Sequence, residues 1–260
     1  MPIIETETLD REELLPYASL TDSGMRQNGL FIAESPKVID RAIEAGIHPL
    51  SLLCERRHIR GDAAPIIGRF PEMPVFTGDR ELLASLTGYT LTRGVLCAMR
   101  RPEPTPAVRL ASKARRVCVI YDVCDATNVG AIFRSAAALG FDAVILSAES
   151  CDALNRRAIR VSMGTVFQIP WSVSANVLED LRAAGLTTVS TALNAESIPL
   201  DRFPLRHDGR YAVIFGSEGY GLPDSVIRGS DFCVNIPMQG GVDSLNVGAA
   251  AAITLWHFRP

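Results

Sequence analysis

No run of apolar residues in this chain reaches the roughly 18 to 20 that a membrane helix needs, so a membrane-spanning protein is not expected. Cysteine pairs are missing too. The six cysteines (Cys54, Cys97, Cys118, Cys124, Cys151 and Cys233) include no Cys-x-x-Cys and have no histidine at zinc-ligand spacing, so neither a structural zinc nor any other metal is expected. They read as small buried hydrophobes of a reducing compartment. Neither Gly-x-Gly-x-x-Gly nor Gly-x-x-x-x-Gly-Lys occurs, which disfavours pyrophosphate cofactors and nucleoside triphosphates, and with them a nucleotide-dependent oxidoreductase. The opening residues show no charged-then-apolar leader, and a soluble, cytoplasmic protein is expected. Charge of one sign is lacking as well: 26 basic residues face 29 acidic ones, for a net charge of −3. That balance is awkward for a nucleic-acid binder, which gains affinity by neutralising phosphates.

Local clustering matters more than the total. Lysine is nearly absent, at Lys37 and Lys113, while arginines come in groups: Arg56-Arg57 with Arg60, Arg100-Arg101, Arg115-Arg116, and Arg156-Arg157 with Arg160. Guanidinium forks suit phosphate better than ammonium groups do. Arginine-rich usage also follows from genome composition, and a single pair reads equally as solvated surface.

A length of 260 residues suits one large or two modest domains. Residues 1–29 are polar and suggest an arm with a short helix interrupted at Pro16. From Leu30 strand and helix signals alternate: LFIAE, then PKVIDRAIEAG with Pro36 at its first turn and Gly46 past its end, then PLSLLCE, MPVFTG, RELLASLTG and GVLCAMR. Residues 101–115 contain three prolines and read as a semi-rigid linker. Beyond it come VCVIY, a helix from about Val129 to Leu139, AVILS, a short helix in CDALNRRAIR, a strand in VFQIP, the helix ANVLEDLRAAGL, and the strands TTVST and YAVIFG. Continuous apolar strands alternating with helices argue for a parallel sheet covered on both faces.

Three stretches depart from that plain alternation. The segment Asn235 to Phe258 passes from a short strand through Pro237, Gly240 and Gly241 to Ser244-Leu245-Asn246 before an alanine-rich helix; the glycines permit positive φ, and Ser244 and Asn246 stand where they cap the helix or bind a ligand. IFGSEGYGLP, Ile214 to Pro223, ends a strand in Gly-x-Glu-Gly-x-Gly-Leu. DVCDATNVGAIFRSAAALGFDAVILS, Asp122 to Ser147, is a strand-turn-helix-strand carrying Asn128, as the expected helix cap, and Arg134. In an open parallel sheet the turns Thr191 to Ala195, Gly216 to Gly221 and Met238 to Asn246 lie beyond the carboxyl ends of strands, where ligands collect.

In this order and spacing the three stretches resemble the motifs of the SpoU/TrmH-type RNA ribose methyltransferases, of the SPOUT class, over residues 116 to 260. The resemblance implies an α/β protein in which a parallel-sheet catalytic domain over 116–260, closed by a trefoil knot, follows an N-terminal domain over 1–100. FIAESPKVIDRAIEAG and RGVLCAMRRP look like the ribosomal-protein-like substrate-binding domain of the same family, with Glu34-Ser35 where the family more often has Glu-Gly. It further implies S-adenosyl-L-methionine as cofactor, rRNA or tRNA as substrate, methyl transfer to a ribose 2′-hydroxyl, and a homodimer burying the apolar face of Val247 to Trp256. By the same carry-over, Gly216, Ile236 and Leu245 supply backbone contacts to the cofactor, with Thr191, Leu193 and Met238 lining its pocket. Arg134 activates or orients the ribose hydroxyl. Asn128, Glu218, Ser244 and Asn246 complete the catalytic set, with Ser162 in second rank. An arginine free base is costly at its reference pKa, which favours phosphate anchoring for Arg134. A non-catalytic RNA-binding protein of the same fold and an RNA base methyltransferase stand as alternatives.

Overall fold

The computed structural model describes residues 3–6, 11–18, 26, 28–87, 94–194, 196–241 and 244–260; about half of the arm expected over 1–29 lies outside them. The chain divides into two compact units. One comprises Met1–Glu103 with Leu154–Phe167, the other Pro104–Ala153 with Gln168–Pro260.

Among its described residues the first unit holds a five-stranded sheet in the order β1-β4-β3-β5-β2, formed by β1 (Ile3–Glu5), β2 (Leu30–Glu34), β3 (Pro49–Glu55), β4 (Val75–Gly78) and β5 (Val95–Arg100). β5 runs antiparallel to both β2 and β3. The helix Pro36–Glu44 buries the stripe Val38, Ile39 and Ala42, as its i, i+1, i+4 spacing requires. Pro16 does not break the short helix Leu15–Ala18, because in the first turn its missing N–H leaves no bond unmade. Tyr17 behind it is fully buried, and its hydroxyl meets Ser51 Oγ at 2.7 Å. Ser35 adopts φ 84°, a left-handed conformation that glycine accepts freely and serine does not. The helix Arg156–Val161 returns to this unit beside β2, so the first unit draws on residues beyond the expected boundary at 100.

Among its described residues the second unit carries a seven-stranded sheet, all parallel, in the order β10-β12-β9-β11-β6-β7-β8: β6 (Arg116–Ile120), β7 (Ala143–Ser147), β8 (Trp171–Ser174), β9 (Thr187–Thr191), β10 (Ile198–Pro199), β11 (Tyr211–Phe215) and β12 (Phe232–Asn235). Every residue of β6, β7 and β11 is buried, as expected for strands covered on both faces. Arg116 is buried with them. Its guanidinium donates to the carbonyls of Phe258, at 2.7 Å, and of Gly209 and His207, and stacks over the Tyr211 ring, which ties β6 to the end of the last helix.

Three local expectations are corrected. The stretch 101–115 is not a linker throughout, because Ala107–Lys113 is a helix whose Ala107 and Ala111 enter the core with Val177 and Leu181. The prolines at 102, 104 and 106 confine the break to the first half, and Ala107, Leu110, Ala111 and Ala114 form an i, i+3, i+4, i+7 stripe. VFQIP is a 3-10 turn at Thr165–Phe167, and the strand starts at Trp171, after Pro170, which has no N–H for the ladder. The cap of the helix Ala126–Ala138 is Asp125, whose carboxylate accepts from Thr127 N at 2.5 Å and Asn128 N at 3.2 Å. Asn128 therefore lies inside the first turn, with its side chain available for another partner.

Candidate active site

β12, β9 and β11 lie side by side and parallel, so the loops after Thr191, Phe215 and Asn235 emerge at one edge of the sheet. Two cavities open there. The first, about 170 Å³, is lined by Thr191, Leu193, Ile236, Met238, Ser244 and Leu245, which brings five of the six expected cofactor residues together with Ser244. Ala250 and Thr254 complete its wall from the last helix. Their positions were legible in principle, since residues 246, 250 and 254 recur every four and share a helix face. Ala195, Val242 and Asp243 of the expected turns lie outside the described residues.

Gly216 is not among the residues lining that cavity. A Cβ there would stand 2.5 Å from the backbone of Gly221 and Leu222, so its glycine permits the loop to fold back on itself. The result is a tight turn in which Gly221 N donates to Ser217 O at 2.9 Å. On this turn sits Glu218, in the wall of the second cavity, about 720 Å³, with Asp122, Val123, Asp125 and Tyr220. Asp122 holds φ 55°, and its carboxylate accepts from Ser147 Oγ at 2.7 Å. Tyr220 and the two aspartates carry no signal in the sequence beyond their place in the motifs.

Asn246 follows Ser244 and Leu245 of the first cavity and bonds Glu218 of the second. Its Oδ1 accepts from Gly248 N at 3.0 Å and Ala249 N at 3.3 Å, capping the helix Val247–Phe258. Two backbone donors fix that oxygen, so the amide nitrogen faces the other way and donates to Glu218 Oε1 at 2.6 Å and Asn128 Oδ1 at 3.0 Å. One side chain thus uses all four of its hydrogen-bonding positions. Gly248 makes the crossing of the two helices close: a Cβ there would lie 3.2 Å from Ala131 Cβ. Arg134 stands on the same helix as Asn128, six residues on, exposed and without a hydrogen-bond or ion-pair partner among the described residues. It is not part of the hydrogen-bonded set. Ser162 is fully buried in the first unit, with its hydroxyl donating to Ile159 O at 2.9 Å, a structural position.

The described residues contain no group of three or more His, Cys, Asp or Glu side chains arranged to hold a metal ion, and no helix long and apolar enough to cross a membrane. The arrangement offers a small apolar chamber, a carboxylate-lined chamber, and between them a rigid amide-carboxylate set.

The profile of the SpoU rRNA Methylase family matches residues 115–256. Among curated proteins, an uncharacterized tRNA/rRNA methyltransferase of Mycobacterium bovis is 37% identical over 237 residues, 88% of this chain and 80% of that one. The 23S rRNA (guanosine(2553)-2′-O)-methyltransferase RlmP of Bacillus subtilis is 36% identical over 224 residues, 80% of this chain and 88% of its own. Among solved structures, an AdoMet-bound rRNA methyltransferase from Sinorhizobium meliloti superposes with a TM-score of 0.84 at 25% identity, covering 98% of this chain and 97% of that one.

Proposed function

This chain belongs to the SpoU rRNA methylase family, and from that premise we propose that it transfers a methyl group from S-adenosyl-L-methionine to a ribose 2′-hydroxyl of rRNA or tRNA. It is an RNA methyltransferase, and its parallel α/β sheet matches that of its structural neighbours. The observation that carries the site assignment is the set Asn128–Asn246–Glu218, three residues from three separate motifs held within hydrogen-bonding distance at one edge of the sheet.

The first cavity fits the cofactor in chemistry. Leu193, Ile236, Met238, Leu245 and Ala250 sheathe an adenine without charge, while Thr191, Ser244 and Thr254 bring hydroxyls to its polar edges. When bound, the cofactor supplies an electrophilic methyl on a sulfonium. The chain's own residues align the attacking oxygen. Arg134 carries a guanidinium that donates but does not accept, so it anchors a phosphate and holds the ribose in line. Glu218 is the member of the set able to accept a hydrogen bond from the hydroxyl as its proton leaves. Asn246, itself bonded to Asn128, keeps that carboxylate fixed, and a group already fixed before the reaction stabilises developing charge without reorganising.

Several finer readings belong to the same proposal. The first unit is a ribosomal-protein-like RNA-binding domain, the segment after β12 is threaded as a trefoil knot, and the protein works in the cytoplasm as a homodimer without metal. For the dimer, the support is the exposure of Ile253 and Trp256 on the last helix, 44% and 58%.

The test is methyl transfer to total RNA from cells lacking the protein. Arg134→Ala should lower turnover about a hundredfold or more while leaving cofactor affinity unchanged. The linkage 3′ of the modified nucleotide should resist alkali, and a 2′-deoxynucleotide at that position should accept no methyl. Methylation of the deoxy substrate would move the methyl to a base and overturn the reading.

A further inference from the structure

Tyr220 is 98% exposed, more than any other exposed large hydrophobic side chain among the described residues, although it stands on a hydrogen-bonded turn. Its amide donates to Ser217 Oγ at 3.4 Å, Ser217 and Gly221 pair as an antiparallel bridge, and Gly221 closes the turn at φ 67°. Leu222, two residues on, is buried in the core of the sheet. The turn therefore holds the ring outward on a short, doubly anchored loop. An aromatic ring left in water forgoes the burial that makes aromatics worth having, which points to a partner absent from the fold itself.

The surroundings say what kind of partner. Tyr220 lines the second cavity with Asp122, Asp125 and Glu218. Asp122, Asp125 and Glu218 are each engaged by the protein's own donors, and Val123 and Pro223 stand in the same wall, so of a nucleotide's three parts the flat base suits this lining best. Glu218, two residues before Tyr220, is pinned by Asn246, so the ring shares its loop with the set assigned to the ribose hydroxyl. The cavity, at about 720 Å³, is the larger of the two at this edge.

We propose that Tyr220 is the stacking platform for the nucleobase of the methylated nucleotide, which leaves its RNA stack and enters the carboxylate-lined cavity against this ring. The proposal rests on the methyltransferase reading above. A base taken out of its neighbours' stack loses their π-contact, and an aromatic side chain restores it for any base. Its neighbour on one face becomes the tyrosine ring, while its edge meets the carboxylates.

The experiment uses the full-length protein, total RNA from cells lacking it, and cofactor labelled on the methyl. Tyr220→Ala should lower kcat/KM for RNA about five- to a hundredfold, the range of one lost base–aromatic stack. Tyr220→Phe, which keeps the ring and removes the hydroxyl, should stay within about twofold of wild type. Cofactor affinity by calorimetry should be the same in all three proteins. Undiminished activity in Tyr220→Ala overturns the proposal. So does an equal loss in Tyr220→Phe, which would assign the role to the hydroxyl, or a loss of cofactor affinity in Tyr220→Ala, which would make the residue structural. A wild-type protein that labels no RNA at all would instead bring down the methyltransferase reading itself, and this proposal with it.

Discussion

The two cavities at the edge of the parallel sheet are neighbours lined by different kinds of residue. One is walled by Leu193, Ile236, Met238, Leu245 and Ala250; the other by Asp122, Asp125, Glu218 and an exposed tyrosine. Both are built on loops leaving the carboxyl ends of parallel strands, the first backed by the last helix and the second by the tight turn after Phe215. Geometry decides where ligands collect, and the lining decides which part of which ligand is accepted. Asn246 is the shared post: its cap bonds belong to the helix that walls the apolar side, and its amide nitrogen belongs to the carboxylate side.

That division can be broken most severely at Asn246. Asn246→Asp keeps an oxygen to accept from Gly248 N and Ala249 N, and a negative charge is favoured at a helix N-terminus. It also sets a second carboxylate against Glu218 and removes the donor to Asn128. Activity should fall about a hundredfold or more, with Tm within a few degrees of wild type. Asn246→Ala removes the cap as well, so Tm should drop by a further about 2–4 °C, the equivalent of about 1 kcal/mol for a chain of this size. Parallel assays of methyl transfer and thermal melting check both; an active Asn246→Asp would show that the cap is all this residue provides.

A smaller effect sharpens the contrast from the apolar side. Ala250→Met puts a good helix former and three extra heavy atoms into the first cavity, leaving the second untouched. Cofactor affinity by calorimetry should weaken tenfold or more, while the melting temperature without cofactor holds. Retained affinity would place the cofactor elsewhere.

The smallest expected effect concerns stability and belongs to neither cavity. His257, beside Phe203 and Phe258 on the last helix, has its pKa lowered below the usual value near 6.5, chiefly by burial and then by Arg259. Its native form thus binds fewer protons than its unfolded form, and stability rises with pH through this window. The contribution is fully present above the unfolded value and is lost as pH falls below about 6.5. Wild type should lose about 1–2 °C more in Tm between pH 7.5 and 5.5 than His257→Gln does. Identical slopes would remove His257 from the pH response.

How much of this was legible in the sequence differs from residue to residue. The strand in YAVIFG announced itself, because a strand buried on both faces is apolar throughout, whereas TTVST reads as a strand through its β-branched Thr and Val. The turns after them were placed by the same logic, and Thr191, Leu193, Ile236, Met238 and Leu245 converge on one cavity. The cap of the first-motif helix was misplaced by three residues, since Asp125 and Asn128 are equally good capping types and only the dihedral angles distinguish them. Ala107–Lys113 was hidden by the prolines before it. Arg134 and Gly216 were named from the motifs, but their surroundings depend on how loops fold back, which no local pattern encodes. Nor could any local pattern connect Asn128 to Asn246, 118 positions away.

That separation has a consequence for how the protein comes into being. Arg116 grips the carbonyl of Phe258 across 142 positions, and Asn128 waits for Asn246 across nearly as many. During synthesis β6 and the first-motif helix leave the ribosome long before the helix Val247–Phe258 exists. Until that helix arrives, the apolar chamber has no back wall, Arg116 has lost one of its carbonyls, and Glu218 has nothing to hold it. Closing loops of such length is slow and brings little reward before the final contacts form. The site described above is therefore complete only once the helix Val247–Phe258 has docked.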